Sequence, residues 1–269
     1  MNYIQAPDRR LFVQGLAAAG LVGLSAPAHA QEALGTHPVL RGRDLDLTLA
    51  EMPVNITGRR RMATLVNNAM PGPILRLHEG DHVTIRVTNR LNVSSSVHWH
   101  GLRLPNAMDG VPGLTYAGIA PGETFVYRFQ VLQAGTYWYH SHSGMQEQTG
   151  LYGPVILVPQ TKEPYVYDRE YVVVLSDWTD EDPMTIVSNL KQQSDYYNYQ
   201  QRTVATLAQD ISRQGIRRTL ADRLMWGRMR MSPTDIMDVT GATYTFLVNG
   251  HPPAANWTAS WQNGGTPGA

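Results

Sequence analysis

Four of the nine histidines form two His-x-His units, His98-Trp99-His100 and His140-Ser141-His142. In an extended segment, residues two apart project from the same face, so each unit presents two imidazoles side by side. Neutral imidazole nitrogens are common ligands for zinc, copper, iron and nickel. The spacing therefore indicates a metal site built by two β-strands, with histidines that bind no metal as the alternative on spacing alone.

The composition excludes several other kinds of site. The chain has 269 residues with 22 Lys+Arg against 22 Asp+Glu, and this zero net charge argues against a nucleic-acid-binding protein. The sequence contains no cysteine. This excludes a disulfide framework, a thiolate zinc site, a thiol nucleophile and a blue-copper centre formed wholly within this chain.

Strands that could carry the histidines are indicated by a period-two alternation of apolar residues within about residues 44–159. The alternation is found at Leu45, Leu47 and Leu49, at Val83, Ile85 and Val87, and at Phe125, Tyr127, Phe129 and Val131. Such strands have one face on a core, and turn segments at 71–73, 79–81 and 121–123 separate them. The pattern predicts a β-sandwich or barrel.

The pattern changes after a linker at residues 159–164. Residues 171–175 and 243–248 predict strands, whereas the apolar spacing over about 184–231 is helical. We therefore expect a β-domain followed by the start of a second β-domain that carries a helical insertion.

Residues 1–30 resemble a twin-arginine export signal. Arg9 and Arg10 precede an apolar run at residues 16–24, and Ala28-His29-Ala30 has the small-x-small pattern of a cleavage site. Asp8 and Gln14 depart from the usual motif, so an ordinary secretory signal or a buried helix is the alternative. The run is too short to span a bilayer of about 30 Å, and we expect a periplasmic protein without a transmembrane segment.

Longer motifs resemble one protein family. His98-Trp99-His100-Gly101 and the segment 135–144 are similar to the two N-terminal copper motifs of multicopper oxidases. Segments 108–113, 146–150, 175–183, 194–200 and 229–235 resemble the copper-resistance protein A branch. The resemblance covers the export signal and residues 40–258.

The resemblance implies an all-β fold and a copper cofactor. Residues 40–160 would form a cupredoxin-like Greek-key β-sandwich with the histidine motifs. Residues 165–259 would form an incomplete second cupredoxin-like domain with the helical insertion. His98 would bind a type 2 copper, His100 and His140 one type 3 copper, and His142 the other.

Asp109 lies eleven residues after His98 and matches an acidic residue near the type 2 copper of related oxidases. The resemblance implies a catalytic role, in which its carboxylate relays protons for the reduction of O₂. The alternative is a turn residue of an Asp-Gly pair.

The sequence departs from the family at its C-terminal end. The family's second pair of copper motifs, which supply the type 1 ligands and the other half of the trinuclear cluster, is missing. The tail 260–269 does not resemble the family, and we expect a frameshift or truncation near residue 259. The chain would then be the N-terminal part of a periplasmic multicopper oxidase for copper resistance, which oxidises Cu(I) or phenols with O₂, and would be inactive alone.

Two other functions stay open. One is a periplasmic protein that sequesters copper without turnover. The other is a zinc hydrolase, although Leu102 occupies the place where such sites usually carry an acidic ligand. A methionine cluster at Met225, Met229, Met231 and Met237 is either a Cu(I) site or flexible core filling.

Overall fold

The computed structural model describes residues 38–113, 115–167, 169–193, 196–197, 203–229 and 244–255. The strands are β1 Val39–Arg41, β2 Asp44–Asn55, β3 Arg60–Val66, β4 Ile74–His78, β5 His82–Asn89, β6 His98–His100, β7 Thr124–Gln130, β8 Gly135–His140, β9 Tyr152–Val158, β10 Leu175–Thr179 and β11 Tyr244–Val248. The helices are α1 Pro183–Gln192, α2 Val204–Gln214 and α3 Ile216–Met229. The predicted export signal at 1–30 and the tail at 260–269 lie outside the described residues.

Strands β1 to β9 form a β-sandwich of two sheets. One sheet has the order β1-β4-β9-β8-β6 and the other β3-β2-β5-β7, with parallel pairs between β2 and β5 and between β4 and β9. The apolar residues of the period-two pattern, such as Leu47, Ile85 and Tyr127, are fully buried between the sheets. The predicted sandwich is therefore confirmed.

Strand β6 forms one edge of its sheet and pairs antiparallel with β8. The register places His98 opposite His140 and Trp99 opposite Tyr139. Trp99 and Tyr139 are fully buried, and the Trp99 ring packs edge-on against Tyr127 at 5.2 Å between centroids. Because side chains alternate along a strand, burial of this pair turns the histidines to the opposite face.

The strand predicted at residues 171–175 is wrong in position, since β10 begins only at Leu175. β10 pairs antiparallel with β11, and Trp178 and Leu247 from this pair pack against the side of the sandwich. The backbone just before β10 bonds to Asn249 instead of pairing with a strand. The Val174 N–H donates to the Asn249 side-chain oxygen at 2.7 Å, and the Val174 carbonyl accepts from the Asn249 backbone N–H at 2.8 Å. Apolar spacing does not reveal such a side-chain partner.

Helices α1, α2 and α3 all lie between β10 and β11 in the chain. Asp182 caps α1 by accepting the Met184 N–H, and Thr203 and Thr206 form a reciprocal capping box at the start of α2. Among the described residues, no helix has the length and hydropathy needed to cross a bilayer.

Gly153 should not tolerate a side chain, because a Cβ there would overlap the Tyr139 ring and hydroxyl. That hydroxyl is buried and donates to the Pro73 carbonyl at 3.0 Å. Gly153→Ala should lower the free energy of unfolding by about 1–3 kcal/mol, as overpacking does. Urea denaturation measures this. The control Gly227→Ala, in α3 with no neighbour within 4 Å of a built Cβ, should be neutral or stabilising by up to about 1 kcal/mol; equal midpoints for both variants would contradict the packing argument.

Candidate metal centre

The four histidines predicted to bind metal lie together at the outer face of β6 and β8. Single ligand nitrogens of His98, His100 and His140 all lie within 4.8 Å of one another. The ring of His142, just after β8, lies 5.8 Å from that of His98 and 6.3 Å from that of His140. His140 is buried, whereas His100 and His142 are exposed, so the cluster opens to the surface.

Hydrogen bonds define which ring nitrogens remain free. His98 Nδ1 lies 2.8 Å from the Asp109 carbonyl and His140 Nδ1 lies 2.9 Å from the Ser141 carbonyl. A carbonyl only accepts, so each Nδ1 carries the proton and each Nε2 keeps its lone pair. His140 Nε2 lies 3.2 Å from His100 Nδ1. Two ring nitrogens that converge in this way suit ligation of one ion.

Asp109 lies beside His98, as expected from the sequence. Gly110 after it has φ +80°, and a Cβ at that position would overlap the Val97 carbonyl, so only glycine fits this turn. The turn brings the Asp109 carbonyl to His98, and the Asp109 carboxylate lies 3.5 Å from His98 Nδ1. The residue thus has the geometry of a turn residue and also places a carboxylate at the cluster.

Glu147 is a neighbour of the cluster that sequence reasoning missed. Its carboxylate lies 2.6 Å from His140 Nδ1. It belongs to the segment 146–150, which resembled the family, but no spacing rule connects a turn residue with a histidine seven positions earlier. Only the turn at 145–150 reveals the contact.

The contacts shift the pKa values of the cluster. Burial by itself lowers the pKa of His140, but hydrogen bonds to Glu147 and the Ser141 carbonyl outweigh burial and raise it. The same bond from His140 lowers the pKa of Glu147. The pKa of His100 is lowered, because burial and the rings of His140 and His98 disfavour its charged form. A neutral imidazole is the form that binds metal.

Trp138 stacks under two of the histidines. Its ring lies 4.1 Å from the His140 ring at an interplanar angle of 20°, and 5.0 Å from the His100 ring at 29°. Trp138 and Glu147 also line a cavity of about 680 Å³ between β8 and residues 170–177. Trp138 therefore packs against the rings of both histidines.

Gln146 connects the two strands that carry the histidines. Its side-chain oxygen accepts from the hydroxyls of Ser95 at 2.7 Å and Ser141 at 2.8 Å. Nearby, the Ser96 hydroxyl accepts the His142 N–H at 3.0 Å. These bonds hold the chain before β6 against the chain after β8.

The methionine cluster is not brought to the histidines by any contact among the described residues. Met225 lies in α3 and its side chain is exposed. The side chain of Met229, and the residues Met231 and Met237, lie outside what the structure describes. The choice between a Cu(I) site and core filling therefore stays open.

Residues 48–162 match the family model for multicopper oxidases. Copper resistance protein A of Pseudomonas syringae pv. tomato is 54% identical over 261 residues, which are 96% of this chain and 43% of that protein. Copper resistance protein A of Escherichia coli is 50% identical over the same shares. This chain belongs to the multicopper oxidase family. It spans about 43% of the length of these relatives.

The crystal structure of Fet3p, a multicopper oxidase that functions in iron import, has a TM-score of 0.51 and 35% identity to this chain. The match covers 56% of this chain and 29% of Fet3p. The predicted fold class, an all-β cupredoxin-like Greek-key sandwich, is confirmed. The family implies copper, and a cluster of imidazoles with free nitrogens is a donor set that fits copper.

Gln146→Leu should destabilise the fold near the cluster. Leucine has a similar size but no acceptor, so it would leave the fully buried Ser95 hydroxyl without its partner. We expect the free energy of unfolding to fall by about 1–3 kcal/mol. Chemical denaturation measures this, with Gln192→Leu at an exposed position of α1 as the control. A variant as stable as the control would show that Gln146 does not connect the strands.

Proposed function

We propose that this chain binds copper through His98, His100, His140 and His142 as part of a periplasmic multicopper oxidase for copper resistance. The observation that carries the proposal is the convergence of His100 Nδ1 and His140 Nε2 at 3.2 Å. The Nδ1 bonds of His98 and His140 to backbone carbonyls leave the other nitrogen of each ring free for a metal. The similarity to copper resistance proteins A supports the same assignment.

Each histidine has its own role in this proposal. His100 and His140 hold one type 3 ion, for which their facing nitrogens are suited. His98 would hold the type 2 ion, and His142 would hold the second type 3 ion. Copper, when bound, supplies the one-electron chemistry that couples oxidation of Cu(I) or a phenol to reduction of O₂ to water.

Asp109 is the catalytic residue of the proposal. Its carboxylate lies 3.5 Å from His98 Nδ1, on the ring edge opposite the nitrogen offered to the type 2 copper, and would relay protons for the reduction of O₂. Its backbone carbonyl meanwhile fixes the His98 ring, so the turn residue serves both purposes.

The domain organisation expected from the sequence is part of the proposal. Residues 1–30 would direct export to the periplasm, and 40–160 would form the domain that carries the histidines. Residues 165–259, with helices at about 184–231, would belong to a second cupredoxin-like domain, and residues 260–269 would be a segment that does not resemble the family. Similarity to the relatives over 96% of the chain supports a shared organisation of these parts.

Copper titration tests the ligand assignment. The chain should bind copper, and His100→Ala should weaken that binding. Loss of a residue that only supports a ligand weakens metal binding roughly 10- to 100-fold, and loss of the ligand His100 should weaken it more. His82→Ala, which removes an exposed histidine outside the cluster, should bind like the unaltered chain. Competition with a chromophoric chelator gives these affinities. Equal loss in both variants, or no loss in His100→Ala, would refute the assignment.

Oxygen uptake separates the oxidase from the sequestering protein. The 269 residues include no cysteine, and therefore no thiolate for a type 1 copper. We expect the copper-loaded chain to consume no O₂ with Cu(I) or a phenol, so that it sequesters copper unless the missing ligands are supplied. Oxygen uptake that disappears in His100→Ala would instead identify the chain as an oxidase by itself.

A further inference from the structure

The ring of His140 has two orientations that stacking alone does not distinguish. Rotation of the imidazole by 180° about the Cβ–Cγ bond keeps the ring in its plane against Trp138, 4.1 Å away. It exchanges the positions of Nδ1 and a ring carbon, and moves Nε2 away from His100 Nδ1. Only hydrogen bonds at the ring edge can select the orientation in which Nε2 faces the cluster.

Two acceptors meet His140 Nδ1, and they differ in strength. The Ser141 carbonyl lies at 2.9 Å and the Glu147 carboxylate at 2.6 Å. A hydrogen bond to an ionised acceptor is roughly twice as strong as one between neutral groups. In the rotated ring, a carbon would face both acceptors, so the carboxylate contributes most to the preference for the observed orientation.

The backbone at Glu147 is held on both sides. Gln146 before it accepts from Ser95 and Ser141, and Gln148 after it donates to the Asp177 carboxylate at 2.8 Å. The Glu147 carbonyl itself accepts the N–H of Gly150 at 3.0 Å. The Glu147 carboxylate is therefore carried by a turn whose backbone is fixed by hydrogen bonds.

The other cluster histidines have no equivalent contact within the described part of the chain. The nearest carboxylate to His98 is Asp109, 3.5 Å from Nδ1, and the close acceptor there is a backbone carbonyl. His140 alone receives a carboxylate at hydrogen-bond distance. We infer that Glu147 is a positioning residue, which orients His140 for copper and increases the electron density at its Nε2. The inference rests on the proposed role of His140 as a copper ligand.

The test compares Glu147→Ala and Glu147→Gln, with Glu123→Ala as a control that removes an exposed carboxylate from a turn elsewhere. Competition with a Cu(I) chelator should show binding about 10- to 100-fold weaker in Glu147→Ala. Glu147→Gln retains an oxygen acceptor and should recover part of the affinity, and Glu123→Ala should bind normally. All variants are first checked by urea denaturation, and Glu147 is half exposed, so folding should be preserved.

A second readout needs no copper. In ¹⁵N spectra of the histidine rings, His140 of the metal-free chain should be the Nδ1–H tautomer with a slowly exchanging proton. Glu147→Ala should speed exchange of the His140 Nδ1 proton. If Glu147 only stabilised the fold, the exchange rate would stay unchanged. Unaltered exchange together with unaltered copper affinity in Glu147→Ala would overturn the inference.

His140→Ala distinguishes this failure from failure of the proposed function. If His140→Ala weakens copper binding and Glu147→Ala does not, only the positioning role is wrong. If His140→Ala binds copper as the unaltered chain does, His140 is not a ligand, and both the ligand assignment and the inference are overturned.

Discussion

The pairing of β6 with β8 is the constraint on which the rest of the site depends. Residues directly opposite in an antiparallel pair share a face, so His98 lies beside His140 and His100 beside Trp138. Burial of Trp99 and Tyr139 on the other face fixes this register, because a slip of β6 by one residue would expose Trp99 and turn His98 and His100 toward the core. The core of the sandwich thus determines the geometry of a surface cluster.

Two turns orient the histidine rings that the pair of β6 and β8 brings together. The turn at Asp109-Gly110 supplies a carbonyl to His98, and the turn at 145–150 supplies Glu147 to His140. Each turn satisfies Nδ1 and leaves Nε2 available. The strands therefore set where the imidazoles lie, and the turns set which nitrogen each one offers. This division explains why glycine is required at position 110, far outside the His-x-His motifs.

The sequence allowed prediction of those parts that follow from local periodicity. The period-two alternation correctly predicted the sandwich and its buried residues. The His-x-His spacing correctly predicted that the two rings of each pair lie close together, 5.6 Å apart at His98 and His100 and 6.3 Å apart at His140 and His142. Contacts that no apolar periodicity encodes could not be predicted. Glu147 beside His140, across a turn, and Asn249 beside Val174, from a distant part of the chain, are of this kind. The strand expected at 171–175 begins only at Leu175. The copper assignment and the role of Asp109 stay predictions.

Anomalous diffraction at the copper absorption edge, from crystals of the copper-loaded chain, tests the central claim most directly. The account predicts an anomalous peak bonded to both His100 Nδ1 and His140 Nε2, with Glu147 still in contact with His140 Nδ1. Copper bound only elsewhere, for example at the exposed His78 and His82, with no peak between His100 and His140, would contradict it.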